Sequence, residues 1–305
     1  MSIIVIGAAF VDIKGFPSEK YIPDGRNAGR IEYVHGGVAR NVAEDIANAG
    51  LTPVYLGIAD DSPLGDAVKK RLAERGVDIS RMLTEPDGMG TWLAVFDETG
   101  DVAGSISKRP DMLPVARLLE EKGDEIFASA GSAVLEFDLD EEIIRETLRL
   151  GEKHGVPVYG LVSNMTLALE RRDYLSRLSC FICNRQEAEM LFDADYAGKA
   201  PDELAEILAD EARALGIPAM IVTLGEEGAV WADKGGRGHC PARKARVADT
   251  TGAGDAFCAG VSCGLTCGRN LSEAAELGAA FAALVIESEE NVCPERDWGL
   301  TEEKV

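Results

Sequence analysis

Short apolar runs alternate with stretches of helical periodicity along most of this chain of 305 residues. The runs are apolar throughout rather than at every second position, which is typical of strands buried on both faces. Strands that alternate with helices in this way predict an α/β fold, with a parallel sheet between two layers of helices. We expect residues 1–305 to form a single domain, because the chain can bury one large core and contains no extended linker. The predicted strands are Ile3–Ile6, Pro53–Ile58, Ala133–Leu135, Val156–Leu161, Leu178–Cys183 and Met220–Thr223.

Two segments that lie far apart in the sequence do not fit this alternation. Arg30–Val34 has the every-second-residue pattern of a strand with one buried face. Thr91–Ile106 contains two strand-like runs on either side of Asp97-Glu98-Thr99-Gly100, and this arrangement predicts a hairpin. We expect both segments to form a small β-sheet outside the core, a lid made from about residues 13–35 and 90–108.

One face of the predicted lid carries Trp92, Ala94 and Phe96, because alternate residues of a strand share a face. An aromatic face on a small sheet needs something to cover it. The first interpretation is that this face packs on a second subunit or closes over a ligand, and the second is that it stacks on a nucleobase. We therefore expect a homodimer that associates through the lid.

The composition excludes several classes of partner. A formal net charge of −22 at pH 7 disfavours binding to nucleic acid and to anionic membrane surfaces. No apolar run is long enough to span a bilayer, and no basic region or cleavage site of a signal peptide accompanies the first strand. The 7 cysteines form no zinc-binding pattern and are expected to be reduced core residues. We therefore expect a cytoplasmic protein.

A polar turn that contains two glycines leads into an apolar, alanine-rich helix at Asp249–Phe257. Its two threonines can cap the helix, and its glycines let the backbone turn tightly. Uncovered N–H groups at a helix N-terminus bind anions, and the helix dipole strengthens that binding. Asp255 lies in the first turn, where the dipole alone favours a carboxylate. Alternatively, it is a base that takes the proton from a hydroxyl beside a bound phosphate.

Two other phosphate-binding loops are excluded by spacing. A dinucleotide-binding fingerprint needs a third glycine where Phe257 stands, and it belongs early in a βαβ unit. A P-loop needs Gly-Lys-Ser or Gly-Lys-Thr, and no such triplet follows here. The stretch therefore indicates an anion-binding helix N-terminus of a different kind.

A second glycine pair lies near the N-terminus. Gly36 and Gly37 allow close approach of the backbone to a ligand, and Asn41 lies in the first turn of the helix that follows. Asp12 comes after the first strand, at the carboxyl edge of a parallel sheet, where ligands bind in α/β folds. The alternative roles are local: a backbone contact near the helix cap for Asn41 and an ordinary turn for Asp12.

Asp249–Asp255 resembles the signature of the ribokinase-like (PfkB) carbohydrate and nucleoside kinases, which reads Asp-Thr-x-Gly-Ala-Gly-Asp near the C-terminal end. Gly36-Gly37-x-x-x-Asn41 is similar to the sugar-site motif of the same family. Asn184-x-x-Glu187 and Thr223-x-Gly225-x-x-Gly228 are similar to its Asn-x-x-Glu and nucleotide-loop motifs. The four motifs follow the family's order, and the match covers nearly the whole chain. The resemblance implies a ribokinase-like three-layer α/β/α sandwich with a small β-sheet lid.

The resemblance also implies roles for individual residues. Asp255 would be the catalytic base, with no need of a raised pKa because it must be ionised at neutral pH. The other expected roles are the anion hole for Gly252, Ala253 and Gly254; sugar binding for Asp12, Gly36, Gly37 and Asn41; nucleotide binding for Asn184, Thr223, Gly225 and Gly228; Mg²⁺ binding through water for Asn184 and Glu187; and K⁺ binding for Asp249 and the carbonyl of Thr251.

The reaction implied is ATP-dependent transfer of a phosphoryl group to a primary hydroxyl of a ribosyl-type compound, with Mg²⁺ and K⁺ as cofactors. Within the family, Ile6–Gly15, Gly29–Ile31 and Gly36–Ala43 are most similar to the pseudouridine kinases. The expected acceptor is therefore the 5′-hydroxyl of pseudouridine or a related nucleoside. One alternative is a kinase of ribose, fructose or another keto-sugar. An alternative of another class is a protein that senses a sugar or nucleotide without turnover.

Overall fold

A computed structural model describes residues 2–300, which contain fourteen strands and nine α-helices. In chain order the strands are β1 Ser2–Ile6, β2 Phe10–Pro17, β3 Gly29–Gly36, β4 Thr52–Leu56, β5 Ile58–Ala59, β6 Leu83–Thr84, β7 Gly90–Phe96, β8 Val102–Lys108, β9 Ala130–Glu136, β10 Val158–Leu161, β11 Cys180–Asn184, β12 Ala219–Thr223, β13 Ala229–Asp233 and β14 Gly236–Cys240. The helices are α1 Val38–Asn48, α2 Pro63–Glu74, α3 Leu113–Phe127, α4 Glu141–His154, α5 Met165–Leu169, α6 Arg185–Phe192, α7 Pro201–Ala214, α8 Ala253–Thr266 and α9 Leu271–Ile286.

Eight strands form the central sheet, in the order β14-β13-β12-β11-β10-β9-β1-β4. Six adjacent strands of this sheet are parallel to one another: β12, β11, β10, β9, β1 and β4. At one edge, β13 and β14 pair antiparallel. β1 lies between two neighbours, with Ile4 opposite Val54 on one side and Ala133 on the other. Each of the six predicted apolar runs supplies a strand to this sheet, so the α/β prediction is confirmed.

Helices cover both faces of the central sheet. Ile4 and Phe181 pack with α3, α4 and α7 in one apolar cluster. Val5 and Ile182, their neighbours in sequence, pack with α1, α8 and α9 in a second cluster on the opposite face. Successive residues of a strand point to opposite faces, so each strand contributes side chains to both clusters. The three-layer α/β/α sandwich is therefore confirmed.

Close packing of α8 on α9 fixes the position of the N-terminus of α8. A Cβ atom at Gly260 would lie 2.8 Å from the Cα atom of Gly278, which is closer than van der Waals contact allows. The two helices can approach this closely only because both positions lack a side chain. The body of α8 is therefore fixed against α9 and the core.

Four strands form a separate sheet in the order β3-β2-β7-β8, and we call this sheet the lid. Only Gly7, Ala8 and Ala9 separate β2 from β1, so the lid continues directly from the middle of the central sheet. Sequence analysis predicted β3, β7 and β8 but not β2. β2 contains Lys14, Gly15 and Pro17, which break an apolar pattern, and it is ordered by the neighbours that pair with it on both sides.

Strand register determines which side chains share each face of the lid. Val34, Asp12, Trp92 and Ser107 form one row across the four strands, on what we call the inner face. Tyr33, Ile13, Leu93 and Ile106 form the adjacent row on the outer face. The inner face also carries Ala94 and Phe96, so the predicted grouping of Trp92, Ala94 and Phe96 on one face agrees with the register. The exposed large apolar side chains, however, lie on the outer face: Ile31 66%, Tyr33 60%, Leu93 41% and Ile106 70%.

Two further differences from the sequence prediction have local causes. α3 was not predicted: Pro114 lies in its first turn, where proline is favoured, but Gly123 interrupts its helical pattern. Gly123 packs on α4, where a Cβ atom would lie 2.3 Å from Leu150 Cδ1. The predicted strand Pro53–Ile58 is divided at Gly57, after which β5 pairs with β6 in a separate small sheet.

Within residues 2–300, no helix has the length and apolar character needed to cross a bilayer. The seven cysteines all carry free thiols, and only Cys267 is partly exposed.

Candidate active site

The turn before α8 presents several backbone N–H groups that have no acceptor within residues 2–300. Gly252 is the N-cap residue, with φ 82° in the left-handed region, and no side chain caps the helix. Thr251 was expected to cap α8, but its hydroxyl and its N–H both donate to Asp249 Oδ1, at 2.9 Å each. This leaves the helix N-terminus open to an anion.

The amides of the three predicted anion-hole residues, Gly252, Ala253 and Gly254, and that of Asp255 are not equivalent. The N–H of Ala253 donates to the Thr250 carbonyl at 3.2 Å, so it is partly engaged within the turn. Within the part of the chain that the structure describes, no acceptor faces the N–H groups of Gly252, Gly254 and Asp255. Gly252 cannot be replaced without distortion, because a Cβ atom there would lie 2.1 Å from the Asn291 carbonyl oxygen.

Asp255 lies in the first turn of α8, half-buried between α8 and α1. Burial raises its pKa to about 6, while a hydrogen bond from Asn41 and the charge of Arg40 act in the opposite direction. The role predicted from the sequence does not need this shift, and the burial that causes it was not predicted. At neutral pH the carboxylate is still mostly ionised, as a general base requires.

Asn41 is brought to Asp255 from the opposite end of the chain. Its Nδ2 donates to Asp255 Oδ2 at 2.6 Å across 214 residues of sequence. Asn41 lies in the first turn of α1, which begins at Gly37 with φ 94°. A Cβ atom at Gly37 would lie 2.6 Å from the Ala8 carbonyl oxygen, so the glycine allows α1 to start against β1.

Asp12 and Gly36 meet on the inner face of the lid. A Cβ atom at Gly36 would lie 2.7 Å from Asp12 Oδ1, so the glycine leaves room for this carboxylate. Burial raises the pKa of Asp12, whereas the charges of Lys14 and Arg40 lower it. Arg40 thus acts on both Asp12 and Asp255, and Lys14 acts on both Asp12 and Asp249. The lid carboxylate and the turn before α8 therefore border one site.

Asn184 and Glu187 form a capping box at the N-terminus of α6. Asn184 Oδ1 accepts from the Glu187 N–H at 2.9 Å, and Glu187 Oε2 accepts from the Asn184 N–H at 2.7 Å. Burial raises the pKa of Glu187, and the charges of Asp138 and Asp255 raise it further. These charges show that Glu187 lies in a negative environment. No group of three or more metal-binding side chains within residues 2–300 could itself enclose a metal ion.

Thr223, Gly225 and Gly228 lie at the carboxyl end of β12, next to Asn184 at the end of β11. Gly225 and Gly228 have φ values of 61° and 94°. The Gly228 N–H donates to the Gly225 carbonyl at 3.0 Å, and the Leu224 N–H donates to the Gly228 carbonyl at 2.7 Å. Both glycines are therefore needed for the turn itself, and the turn leaves the Thr223 end of β12 accessible.

Asp249 is exposed in the turn before α8, where its hydrogen bonds to Thr251 lower its pKa. The preceding Ala248 N–H donates to the Ile286 carbonyl at 2.8 Å, which joins this turn to the end of α9. An ionised carboxylate beside backbone carbonyl groups is a suitable donor set for a hard cation. The residues predicted to hold K⁺ are therefore adjacent, as Asp249 and Thr251 share one turn.

Sequence analysis missed polar residues at the carboxyl ends of β9 and β10. Glu136 is buried and accepts from the Ala8 N–H at 2.8 Å, and burial raises its pKa. Asp138 is also buried, and it accepts from Ser163 Oγ at 2.9 Å and from Arg109 Nη2 at 2.5 Å. Glu136 and Asp138 directly follow the predicted strand Ala133–Leu135. Their position at the edge where ligands bind was therefore an available signal.

The similarity of this chain to known proteins extends over nearly its whole length. Residues 1–295 match the family described as pfkB family carbohydrate kinase. Guanosine-inosine kinase of Exiguobacterium acetylicum is 36% identical over 296 residues, covering 95% of this chain and 95% of that protein. Pseudouridine kinase of Escherichia coli is 24% identical over 290 residues, covering 94% and 91%.

Solved structures have the same fold. Arabidopsis thaliana ribokinase complexed with ribose and ATP gives a TM-score of 0.82 at 19% identity and covers 99% of both chains. Adenosine kinase from Sinorhizobium meliloti gives a TM-score of 0.76 at 24% identity and covers 95% of both chains.

Proposed function

Because this chain belongs to the pfkB family of carbohydrate kinases and is therefore a phosphotransferase that acts on a sugar or nucleoside hydroxyl, we propose that its acceptor is a ribonucleoside, phosphorylated on the 5′-hydroxyl with ATP as donor. Asp12, Gly36 and Asn41 would hold the ribose. A carboxylate, a bare backbone and an amide suit a polyol, because each ring hydroxyl both donates and accepts.

The observation that carries the nucleoside assignment is the pairing of Asp12 with Trp92 in the lid. The two residues lie opposite each other on adjacent strands and share the inner face. Phe96 lies on the same face, with its ring centroid 6.4 Å from that of Trp92 in an edge-to-face arrangement. A ribose held by Asp12 would place an attached base beside these rings, where stacking is favourable. A free sugar would leave the aromatic surface unused.

Among nucleosides, inosine and guanosine are the first candidates and pseudouridine is the second. The sequence motifs favoured pseudouridine. The relative that acts on guanosine and inosine is nevertheless 36% identical to this chain, against 24% for the bacterial pseudouridine kinase. The larger apolar area of a purine also suits a surface that contains both Trp92 and Phe96.

Asp255 would take the proton of the 5′-hydroxyl as its oxygen attacks the γ-phosphorus. The N–H groups of Gly252, Gly254 and Asp255 would bind the charge that develops on the transferred phosphoryl oxygens. Ala253 would contribute after its weak bond to Thr250 is released. An intact base and uncovered amides together are what turnover requires, and they disfavour a protein that only senses a sugar or nucleotide.

The nucleotide would lie along the ends of β11 and β12, against Asn184, Thr223, Gly225 and Gly228. Mg²⁺, when bound to ATP, supplies charge neutralisation of the phosphates. Asn184 and Glu187 would orient its waters, and the negative charges of Asp138 and Asp255 that act on Glu187 fit a cation there. Asp249 and the Thr251 carbonyl would hold K⁺ and stiffen the turn before α8.

The deciding experiment measures ATP-dependent phosphorylation of inosine, guanosine, pseudouridine, ribose and fructose by the full chain. We expect kcat/KM to be highest for a purine nucleoside and lowest for the two free sugars. A preference for ribose or fructose over every nucleoside would contradict the proposal. No turnover with any acceptor, by a protein that still binds nucleosides, would favour the sensing alternative.

A further inference from the structure

α1 is buried on two sides: Val42 and Ile46 pack in the apolar core, whereas a second side, equally buried, is polar. Its residues are spaced as one face of a helix, and each is at most 5% exposed: Arg40, Asn41, Glu44, Asp45 and Asn48. We call this set the polar stripe. Burying charged groups costs free energy unless they are paired, so a buried set of charged residues suggests a functional role. The roles proposed above use only Asn41.

Arg40 lies at the centre of the polar stripe and is fully buried. Its Nη1 donates to Glu44 Oε2 at 2.7 Å, and its Nε donates to the Gly36 carbonyl at 3.2 Å. Its Nη2 donates to the His35 carbonyl at 2.5 Å and also to Asn41 Oδ1. All of these partners are protein groups, and the guanidinium, at 0% exposed, has no surface to offer a substrate.

These contacts determine which way the Asn41 amide points. Asn41 Oδ1 faces two donors, Arg40 Nη2 and, at 3.3 Å, Asn291 Nδ2. Asn41 Nδ2 therefore points to Asp255 Oδ2, at 2.6 Å. A reversed amide would set Nδ2 against two donors and Oδ1 against a carboxylate, so both sides would lose their hydrogen bonds.

We propose that Arg40 is a positioning residue: it fixes the Asn41 amide so that Asn41 holds one oxygen of Asp255 and leaves the other for the acceptor hydroxyl. The proposal rests on the proposed function, because it takes Asp255 to be the base. Glu44 completes the arrangement by holding the guanidinium, and Glu44 is itself held by Arg71 at 2.8 Å.

Arg40→Met tests the proposal, and Arg71→Met is its matched control. Each removes one guanidinium from Glu44, which keeps the other arginine and also Arg75 at 3.4 Å. Of the two arginines that are substituted, Arg40 is the one that donates to Asn41. With the folded fraction measured for each variant, we expect Arg40→Met to lower kcat by about ten- to a hundredfold, the usual cost of misplacing a reacting group, with the KM for ATP unchanged. Arg71→Met should keep kcat near that of the parent.

A double-mutant cycle with Asn41→Ala separates positioning from a general structural role. If Arg40 acts through the amide, Arg40→Met should lower kcat no further in the Asn41→Ala background. An equal loss in both backgrounds, or an equal loss in Arg71→Met, would overturn the proposal. Should Arg40→Met not fold, Asn291→Ala removes the second donor to Asn41 Oδ1 and carries the same cycle. A kcat equal to that of the parent in that variant would also overturn it.

Failure of the proposed function gives a different result. If Asp255 is not the base, Asp255→Asn keeps its turnover whatever Arg40→Met does. The cycle can be run with any acceptor that the full chain phosphorylates, so it does not depend on the nucleoside assignment.

Discussion

The central sheet and the lid are joined by three residues, yet their side chains are buried in different ways. Strands of the central sheet such as β1 are apolar on both faces, with Ile3, Val5 and Ile6 all 0% exposed. The lid has an inner face of mixed polar and aromatic residues and an outer face of exposed apolar ones. A rigid two-sided sheet suits groups that must hold a reacting phosphoryl group in place. A one-layer sheet suits contacts that form and break with each acceptor.

This difference predicts a division of labour. Asp255 and the turn before α8 belong to the core layers, so their variants should change kcat. Asp12 and Trp92 belong to the lid, so variants there should chiefly change the KM for the acceptor. The predictions below test that division, starting with the largest expected effect.

Asp255→Asn keeps the size of the side chain but removes the proton acceptor. We expect kcat to fall by roughly 10²–10⁴, the usual contribution of a general base, with little change in substrate binding. Glu273→Gln is the control, because Glu273 is the first-turn carboxylate of α9 and is hydrogen-bonded to its own cap residue, Asn270. If the two variants had equally small effects on kcat, Asp255 would serve only the helix N-terminus.

Trp92→Ala removes the ring beside Asp12. Stacking of a base on an aromatic ring contributes about 1–3 kcal/mol, so we expect the KM for the nucleoside to rise about tenfold or more. The KM for ATP should stay the same. Leu93→Ala, the neighbour on the outer face of the same strand, should leave both values unchanged. An unchanged nucleoside KM in Trp92→Ala would remove the main support for the nucleoside assignment.

The pH dependence of kcat tests the assignment of Asp255, which belongs to the core layers. Burial raises the pKa of Asp255 to about 6, and the reaction needs the ionised form. kcat should therefore be constant above about pH 7 and should fall as pH decreases through the pKa, approaching about tenfold per unit. Steady-state rates at saturating substrate measure this limb. An acid limb that persists unchanged in Asp255→Asn would belong to another group.

The outer face of the lid tests for a second subunit. Sequence analysis favoured the Trp92 face for this contact, but the exposed apolar row lies on the opposite side, at Tyr33, Leu93 and Ile106. A single-layer sheet cannot cover its own outer face, and a second copy of the same lid would match it in size. We predict a homodimer in sedimentation, dissociated by Leu93→Asp but not by Trp92→Ala. A monomeric parent would contradict this prediction.

The smallest effect is expected from the monovalent cation. With Mg²⁺ saturating, turnover should be faster in K⁺ than in Na⁺, because the cation would stiffen the turn before α8. Asp249→Ala should remove the difference without changing the KM for the nucleoside. Equal rates in the two salts for the parent would show that Asp249 has only its local role in the turn.

The sequence predicted the core more completely than the lid, and the reason is physical. A strand buried on both faces, such as β11, shows its environment in its own residues, and its apolar run is sufficient. β2 is ordered by hydrogen bonds from β3 and β7, and its residues do not indicate this. The same limit applies to Trp92: alternation placed it on a face, but only the register with Asp12 showed which face.

At the site, the motifs predicted positions but not partners. Asn41 and Asp255 were both named, yet their hydrogen bond spans 214 residues and no local pattern indicates it. The raised pKa of Asp255 depends on burial by α1, which the turn sequence does not reveal. Arg40 was passed over because an arginine between two motif residues is ordinarily exposed, and only packing shows it to be buried.

Some residues of the polar stripe of α1 must wait during synthesis for partners near the C-terminal end of the chain. Its Asp45 and Asn48 bind the backbone of Cys293, whose N–H donates to Asp45 Oδ1 at 2.6 Å across 248 residues. At roughly 5–20 residues per second, a ribosome makes α1 some 10–50 s before it makes this partner. Until then Arg40 and Glu44 have each other and Arg71, but Asp45 and Asn48 lack their partner and Asn41 lacks the second donor that Asn291 provides. A nascent chain that ends before Asn291 would therefore contain every proposed site residue, yet the amide that holds Asp255 would reach its described contacts only after Asn291 has been made.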